Sequence, residues 1–278
     1  MKNDFYINNK KYYNKNAFKY ENASWYYFNK FKYFALRRDL KLIYSSLKKK
    51  KINILEIGPG TGYLLNEILK LENININYLG IEHSKEMSKI LEKNFSSKIK
   101  NFNLVNHSIK SNNLKNILQN KKFDLIIGSS ILHHLPDYSK IIEILSNNLN
   151  KNGIMYFNRE PIHNTECIRA NYFGRKLCSI FNFISNSLIN SKTFVNLFYP
   201  NKLKAENAQS VAILMFQDGV SILPFKQLIK NQKFEILIYR KYNRRLTSTL
   251  SFIENYYMKF LRDDIFGNTM FAIALKKK

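Results

Sequence analysis

The residues Ile54-Leu55-Glu56-Ile57-Gly58-Pro59-Gly60-Thr61-Gly62-Tyr63-Leu64-Leu65 carry an apolar run into three alternating glycines and then into a helical pattern. Glycine admits positive φ and has no Cβ, so the backbone there can approach a ligand closely, and the helix that follows opens with free N–H groups. Such a turn holds a nucleotide-type ligand. Its Gly-x-Gly-x-Gly spacing differs from the Gly-x-Gly-x-x-Gly of dinucleotide folds, so a ligand without a pyrophosphate is expected. The next apolar run, Leu79-Gly80-Ile81-Glu82-His83, ends on a carboxylate. A carboxylate at that place can accept hydrogen bonds from two ribose hydroxyls.

Further polar groups follow the later apolar runs. His133 and His134 come after 123–127, and Arg159, Glu160 and His163 come after 154–158. An imidazole titrates near pH 6.5 and suits proton removal at neutral pH, and a carboxyl raised by burial can do the same. His134 is the candidate base and Glu160 its rival. The alternative for the histidine pair is a strut, one imidazole bonding a neighbouring group to hold the loop, and Arg159 with Glu160 fits either an ion pair or an acceptor clamp.

The elements that must position these groups alternate along the chain. Short apolar runs at 52–57, 77–82, 102–106, 123–127 and 154–158 read as strands. Amphipathic stretches near 63–71, 85–94, 114–119 and 140–149 read as helices between them. Alternation of this kind predicts a parallel sheet covered on both faces, with the site outside the carboxyl ends of its strands. A helix near 223–230 and strands at 234–239 and 270–275 complete the pattern. Before it, residues 4–51 contain neither glycine nor proline and repeat aromatic and apolar residues at helical spacing,. After Glu160-Pro161 the alternation stops until about Phe216, and the recurrence of Leu177, Ile180, Phe181, Ile184 and Leu188 predicts one or two amphipathic helices,.

In this order, the glycine turn and Glu82 make the sequence resemble the class I S-adenosylmethionine-dependent methyltransferases. The segment 123–137, with Gly128-Ser129-Ser130-Ile131-Leu132-His133-His134, resembles the family's fourth strand and its loop, and 152–157 resembles the turn and fifth strand. The resemblance implies an α/β, Rossmann-like methyltransferase fold: a mostly parallel seven-stranded sheet with helices on both faces. Residues 1–50 would form an N-terminal helical lid segment, with Tyr12, Tyr13, Tyr20 and Trp25 as lid candidates. Residues 51–278 would form the S-adenosylmethionine-binding domain, with an acceptor-side helical cap inserted at about 161–216. The cofactor implied is S-adenosylmethionine. Glu56, Gly58, Pro59, Gly60, Thr61 and Gly62 would surround its methionine portion, Glu82 would bind the ribose, and His83 would lie beside the adenine. The family often places an acidic residue after the third strand; this chain has Asn106-His107-Ser108, so His107 or Ser108 would stand in for it. Ser129 joins the cofactor-binding set.

Several acceptor classes are disfavoured. Exocyclic base amines are usually methylated by members with an Asn- or Asp-Pro-Pro-aromatic motif where this chain has Gly-Ser-Ser-Ile, and cytosine chemistry needs a cysteine that neither Cys167 nor Cys178 supplies at that place,. What remains is a small-molecule, sugar or lipid-linked acceptor, a hydroxyl by family analogy. The alternatives are a non-catalytic S-adenosylmethionine-binding or partner-binding protein, or an RNA-directed enzyme using its charge. The net charge is +25, with lysine, asparagine, isoleucine and tyrosine enriched throughout. Even spread of this kind fits an AT-rich coding bias better than a dedicated nucleic-acid face, so nucleic acid is not the expected partner. The two cysteines lack a disulfide or zinc framework, so no metal is expected, and the polar N-terminus lacks the apolar core of a secretion signal,. A cytoplasmic location is the expectation.

Overall fold

The computed structural model describes residues 2–22, 32–71, 75–169, 172–173, 176, 219–231, 233–242, 267–268 and 270–278. Two helices come first, α1 (Lys2–Asn22) and α2 (Lys32–Leu47). The alternating part then runs β1 (Lys51–Ile57), α3 (Tyr63–Ile68), β2 (Asn75–Glu82), α4 (Lys85–Phe95), β3 (Asn101–Asn106), α5 (Ser111–Leu118), β4 (Phe123–Ser129), α6 (Tyr138–Asn147) and β5 (Leu149–Pro161). It continues through β6 (Ile168–Arg169), α7 (Leu223–Lys230), β7 (Phe234–Tyr242), β8 (Gly267–Asn268) and β9 (Met270–Lys277).

Seven strands form one sheet in the order β3-β2-β1-β4-β5-β9-β7, and β6 pairs with β8 in a separate ribbon. The first five neighbours are parallel, and β9 runs antiparallel between β5 and β7. The strand order reverses between β1 and β4, which opens a crevice at the carboxyl ends of those two strands. The apolar runs are buried because both faces are covered. On one face Leu114, Leu118, Ile141, Leu145 and Phe225 bring α5, α6 and α7 against the sheet. On the other, Leu40, Ile43, Leu64, Leu91 and Phe95 bring α2, α3 and α4.

A buried polar knot fixes α2 to the strands. Tyr156 donates its hydroxyl hydrogen to Asp39 at 2.9 Å, and Arg240 of β7 holds the same carboxylate at 2.7 Å. Burial raises the Asp39 pKa and the Arg240 charge opposes that rise. Removing one member would leave a desolvated charge without its partner, so the knot ties helix and sheet into one unit.

The strands and helices expected within the described residues appear, with shifted ends; the helices expected from Leu177 to Leu188 lie outside the described residues. Helix α6 ends at Asn147 rather than 149, because β5 starts at Leu149 and is 13 residues long. The expected cap begins differently as well. Pro161 still belongs to β5, Ile162 bridges Val220, and 168–169 form β6. Residues 177–218, with Cys178, lie outside the described part, as do Trp25 and the side chain of Tyr20. Among the described residues no helix is long and apolar enough to cross a membrane.

Candidate active site

A cleft of about 590 Å³ opens at the carboxyl ends of β1, β2 and β4. Its lining includes Glu56, Gly58, Pro59, Gly60, Thr61, Glu82, His83, Ser129 and His134. Tyr13 of α1 lines it too, together with Tyr63, Leu64, Met87, Ser130 and Ile131.

The glycine turn shapes one half of the cleft, and its three glycines answer to different neighbours. A Cβ on Gly58 would meet Ile131 at 2.5 Å, and one on Gly62 would meet Phe95 at 2.3 Å. Those two positions are closed by packing. A Cβ on Gly60 would meet only the Met87 sulfur, at 3.8 Å, and would project into the cleft. Gly60 also has φ +58, which side-chain-bearing residues seldom adopt,. Gly62 is not among the lining residues; it sets the start of α3 with φ 96.

Two buried carboxyl groups face this half. Glu82 ends β2, and its carboxylate accepts the Gly60 N–H and the Ser84 N–H, each at 2.9 Å. Glu56 is fully inside, where burial pushes its pKa up to about 8, aided by the nearby Glu82 charge and opposed by the Tyr78 hydroxyl that donates to it at 2.7 Å. His83 is mostly buried beside Glu82, and desolvation lowers its pKa, which keeps the ring neutral at pH 7.

The other half comes from distant parts of the chain. Helix α1 crosses the mouth, where Tyr13 makes edge contacts with the rings of His83 and His134. The Tyr13 hydroxyl lies 3.2 Å from His134 Nε2, and Asn9 reaches His134 Nδ1 at 3.5 Å. Asn14 anchors this helix by accepting the hydroxyl hydrogen of Ser84, the residue that caps α4.

The neighbouring histidine has a different environment. His133 turns inward, with Nδ1 at 2.9 Å from Glu160. Glu160 is wholly buried and also accepts the N–H groups of Ile131 and Leu132 at 2.8 and 3.1 Å. Its oxygens are committed to the loop after β4. Nor does Glu160 pair with Arg159, whose guanidinium lies 5.5 Å over the Tyr63 ring. Arg159 and Ser130 both have positive φ, and Ser130 donates its hydroxyl hydrogen to the Arg159 carbonyl at 2.9 Å. The bulge between Phe157 and Glu160 lets Glu160 turn under the loop.

His107 and Ser108, expected beside the cofactor, are not among the residues that line the cleft. His107 is exposed and bonds with Asn113 and the Ser108 carbonyl, while Asn106 ties the end of β3 to Ser88 and the Glu82 carbonyl. Sequence reasoning missed Tyr63, Met87, Ser130 and Ile131. Met87 had a local signal, as it follows the Ser84 cap by three residues after the carboxylate of β2. Ile131 had none, since an isoleucine in a loop gives no sign of what it faces.

Fold and cleft together define a class I S-adenosylmethionine-dependent methyltransferase. The methyltransferase domain model matches residues 48–200, more than half of the chain. The chain belongs to that family. It is 31% identical over 119 residues to a ubiquinone biosynthesis O-methyltransferase of Pelagibacter ubique, covering 43% of this chain and 46% of that one. The match therefore spans about half the length of the curated relative. Among solved structures, a protein described as a sarcosine dimethylglycine methyltransferase from Galdieria sulphuraria is similar with a TM-score of 0.53 and 12% identity, over 87% of this chain and 84% of that one. The plantazolicin methyltransferase BpumL, solved with S-adenosylhomocysteine, gives a TM-score of 0.51 and 14% identity over 99% of this chain and 97% of that one. At these identities the likeness is one of fold.

Proposed function

We propose that this protein transfers the methyl group of S-adenosylmethionine to a hydroxyl of a small-molecule acceptor, with His134 as the base. The residues present fit that cofactor. Two buried carboxyl groups in one cleft suit a ligand with positive charge and ribose hydroxyls, and the space a Gly60 Cβ would fill is free for it,. The buried Ser129 hydroxyl oxygen, which has no hydrogen-bond partner, also belongs to this lining. Glu56, Gly58, Pro59, Gly60, Thr61 and Ser129 would hold the methionine end, Glu82 the ribose and His83 the adenine. When bound, S-adenosylmethionine supplies an electrophilic methyl group on sulfonium.

The protein's own contribution is alignment, exclusion of water and proton removal. The observation that carries the assignment is the pairing of His134 Nε2 with the Tyr13 hydroxyl inside the cleft. A nitrogen that meets one hydroxyl there can receive the proton of another. His133 and Glu160 hold the loop from which His134 presents its ring to the cleft. Arg159, beside Tyr63, would clamp the acceptor. The O-methyltransferase among the relatives agrees with a hydroxyl acceptor.

The test is transfer of label from S-adenosylmethionine into fractionated host extract, with mass analysis of the product. An O-methylated small molecule is expected. With that acceptor, His134→Ala should lower kcat about a hundredfold and leave S-adenosylhomocysteine affinity nearly intact. Normal turnover in a folded His134→Ala protein removes the base from the mechanism, and label in nucleic acid overturns the acceptor class.

A further inference from the structure

The end of the sheet opposite the cleft gathers lysines that are far apart in sequence. The parallel strands start there, and antiparallel β9 finishes there. Lys50 and Lys51 stand at the start of β1, beside Asn75 of β2. Lys121 and Lys122 precede β4, and Lys151 lies in the first turn of β5. Lys233 precedes β7, and its carbonyl accepts the Lys278 N–H at 3.0 Å. Lys276 and Lys277 close β9 opposite Glu235 and Phe234. The basic end thus runs from β1 to β7, five adjacent strands of the seven, roughly 19 Å at about 4.8 Å per strand,.

Helix C-termini also point to this end, and part of the charge complements them. Lys122 donates to the Asn147 carbonyl, and Lys277 to those of Ser146 and Leu149,. The Asp124 carboxylate is taken by Lys49 at 2.6 Å and by the Asn53 N–H. Lys50, Lys51, Lys121, Lys151 and Lys233 remain exposed, with Glu235 the opposing side chain on β7. The ammonium of Lys277 is held below its ordinary pKa by burial and by the charges of Lys122 and Lys233. Lysines close enough to repel are kept together on one end of the molecule.

We propose that this basic end docks the protein on an anionic lipid bilayer. Its chemistry favours a lipid surface over nucleic acid. Among the described residues the end offers lysine without arginine, so it lacks the planar fork that reads phosphate or base edges bidentately. It also shows no exposed aromatic ring on which a base could stack. Helix C-termini there present carbonyls rather than the N–H groups that grip a phosphate. Lysines spread in two dimensions match a diffuse layer of headgroups, to which each adds a comparable increment. Ile236, on the edge strand near Lys233, is 54% exposed and offers an apolar contact. The cleft lies at the other end of strands about 23 Å long at about 3.3 Å per residue, so it faces away from the docked bilayer. This docking is independent of which acceptor is methylated.

The test is co-sedimentation of the full chain with phosphatidylcholine vesicles containing phosphatidylglycerol, and with phosphatidylcholine alone. Binding only to the anionic vesicles, weakened by added salt, is expected. The variant Lys50→Glu, Lys121→Glu, Lys151→Glu, Lys233→Glu should lose at least about tenfold in partition. The charge-matched control Lys85→Glu, Lys89→Glu, Lys140→Glu, Lys226→Glu, on exposed positions in the first halves of helices and so away from the basic end, should lose less than about threefold,. S-adenosylhomocysteine binding checks that each variant is folded. Should the first variant fail to fold, acetylation of the wild type with and without vesicles answers the same question. Protection of Lys50, Lys121, Lys151 and Lys233, but not of the four control lysines, supports docking. Equal losses in both variants, uniform protection, no sedimentation, or protection by duplex RNA and not by vesicles overturns it.

Discussion

The two halves of the cleft are built in different ways. The glycine-turn half comes from one strand, turn, helix and strand between Glu56 and Glu82, and Glu82 closes it by accepting the Gly60 N–H. The other half joins α1 to the loop after β4 and that loop to β5, through contacts of Tyr13 with His134 and of Glu160 with His133 that are 121 and 27 residues apart in sequence. The first half is a local device whose residues line the cleft. The second is a tertiary assembly in which adjacent histidines take opposite roles, His133 bound inward and His134 turned to the cleft.

The sharpest way to separate the halves is Gly60→Val. The branched side chain would enter the cleft at a position with φ +58, so S-adenosylhomocysteine binding should be lost while the protein still folds, as read by calorimetry and circular dichroism,. Unchanged binding in a folded variant would remove the glycine turn from the site. The next effect is pH dependence from Glu56. Its pKa is raised in the folded state, so the folded protein keeps a proton that the unfolded chain releases. Stability of the ligand-free protein should therefore fall as pH rises from about 4.5 to about 8, by on the order of 4 kcal/mol for this group. Glu56→Gln should flatten that slope in thermal melts; an unchanged slope would mean that Glu56 is ionised in the free protein.

The tertiary half is tested by Glu160→Ala. Losing the acceptor for two loop N–H groups and His133 should cost about 2–3 kcal/mol and lower Tm by roughly 4–12 °C. Cofactor affinity should change far less than in Gly60→Val. Unchanged Tm with lost turnover would return Glu160 to the chemistry and dissolve the contrast between the halves. The smallest effect belongs to Glu82→Gln, which keeps a hydrogen-bonding oxygen but removes the charge. S-adenosylhomocysteine should bind about tenfold more weakly. Equal affinity would count against the ribose assignment.

The order of strands and helices was legible because period and punctuation are local. Each apolar run is long enough to cross the sheet once, and glycine or a polar cluster marks most returns. The glycine turn and Glu82 were legible for a related reason: backbone approach to a ligand restricts residue type wherever it occurs. The surroundings of His107 and Ser108 were not legible, since position after a strand does not say whether a side chain turns towards the cleft or towards Asn113. The partners of Glu160 were not legible, because the bulge at Arg159 decides which face it meets, and a bulge with positive φ at an arginine leaves no mark in composition.

The sequence by itself determined the fold class and the cofactor half of the site, because both rest on constraints that act within a few tens of residues. Only the tertiary structure decided which histidine faces the cleft, that Glu160 supports a loop, and that α1 closes the mouth with Tyr13. It also decided where the charge lies. Part of the lysines spread along the chain, Lys50, Lys121, Lys151 and Lys233 among them, meet at one end of the sheet, because every parallel strand begins on the same side and the chain returns there after each helix. Periodicity predicts that there are returns; packing determines what the returning residues meet.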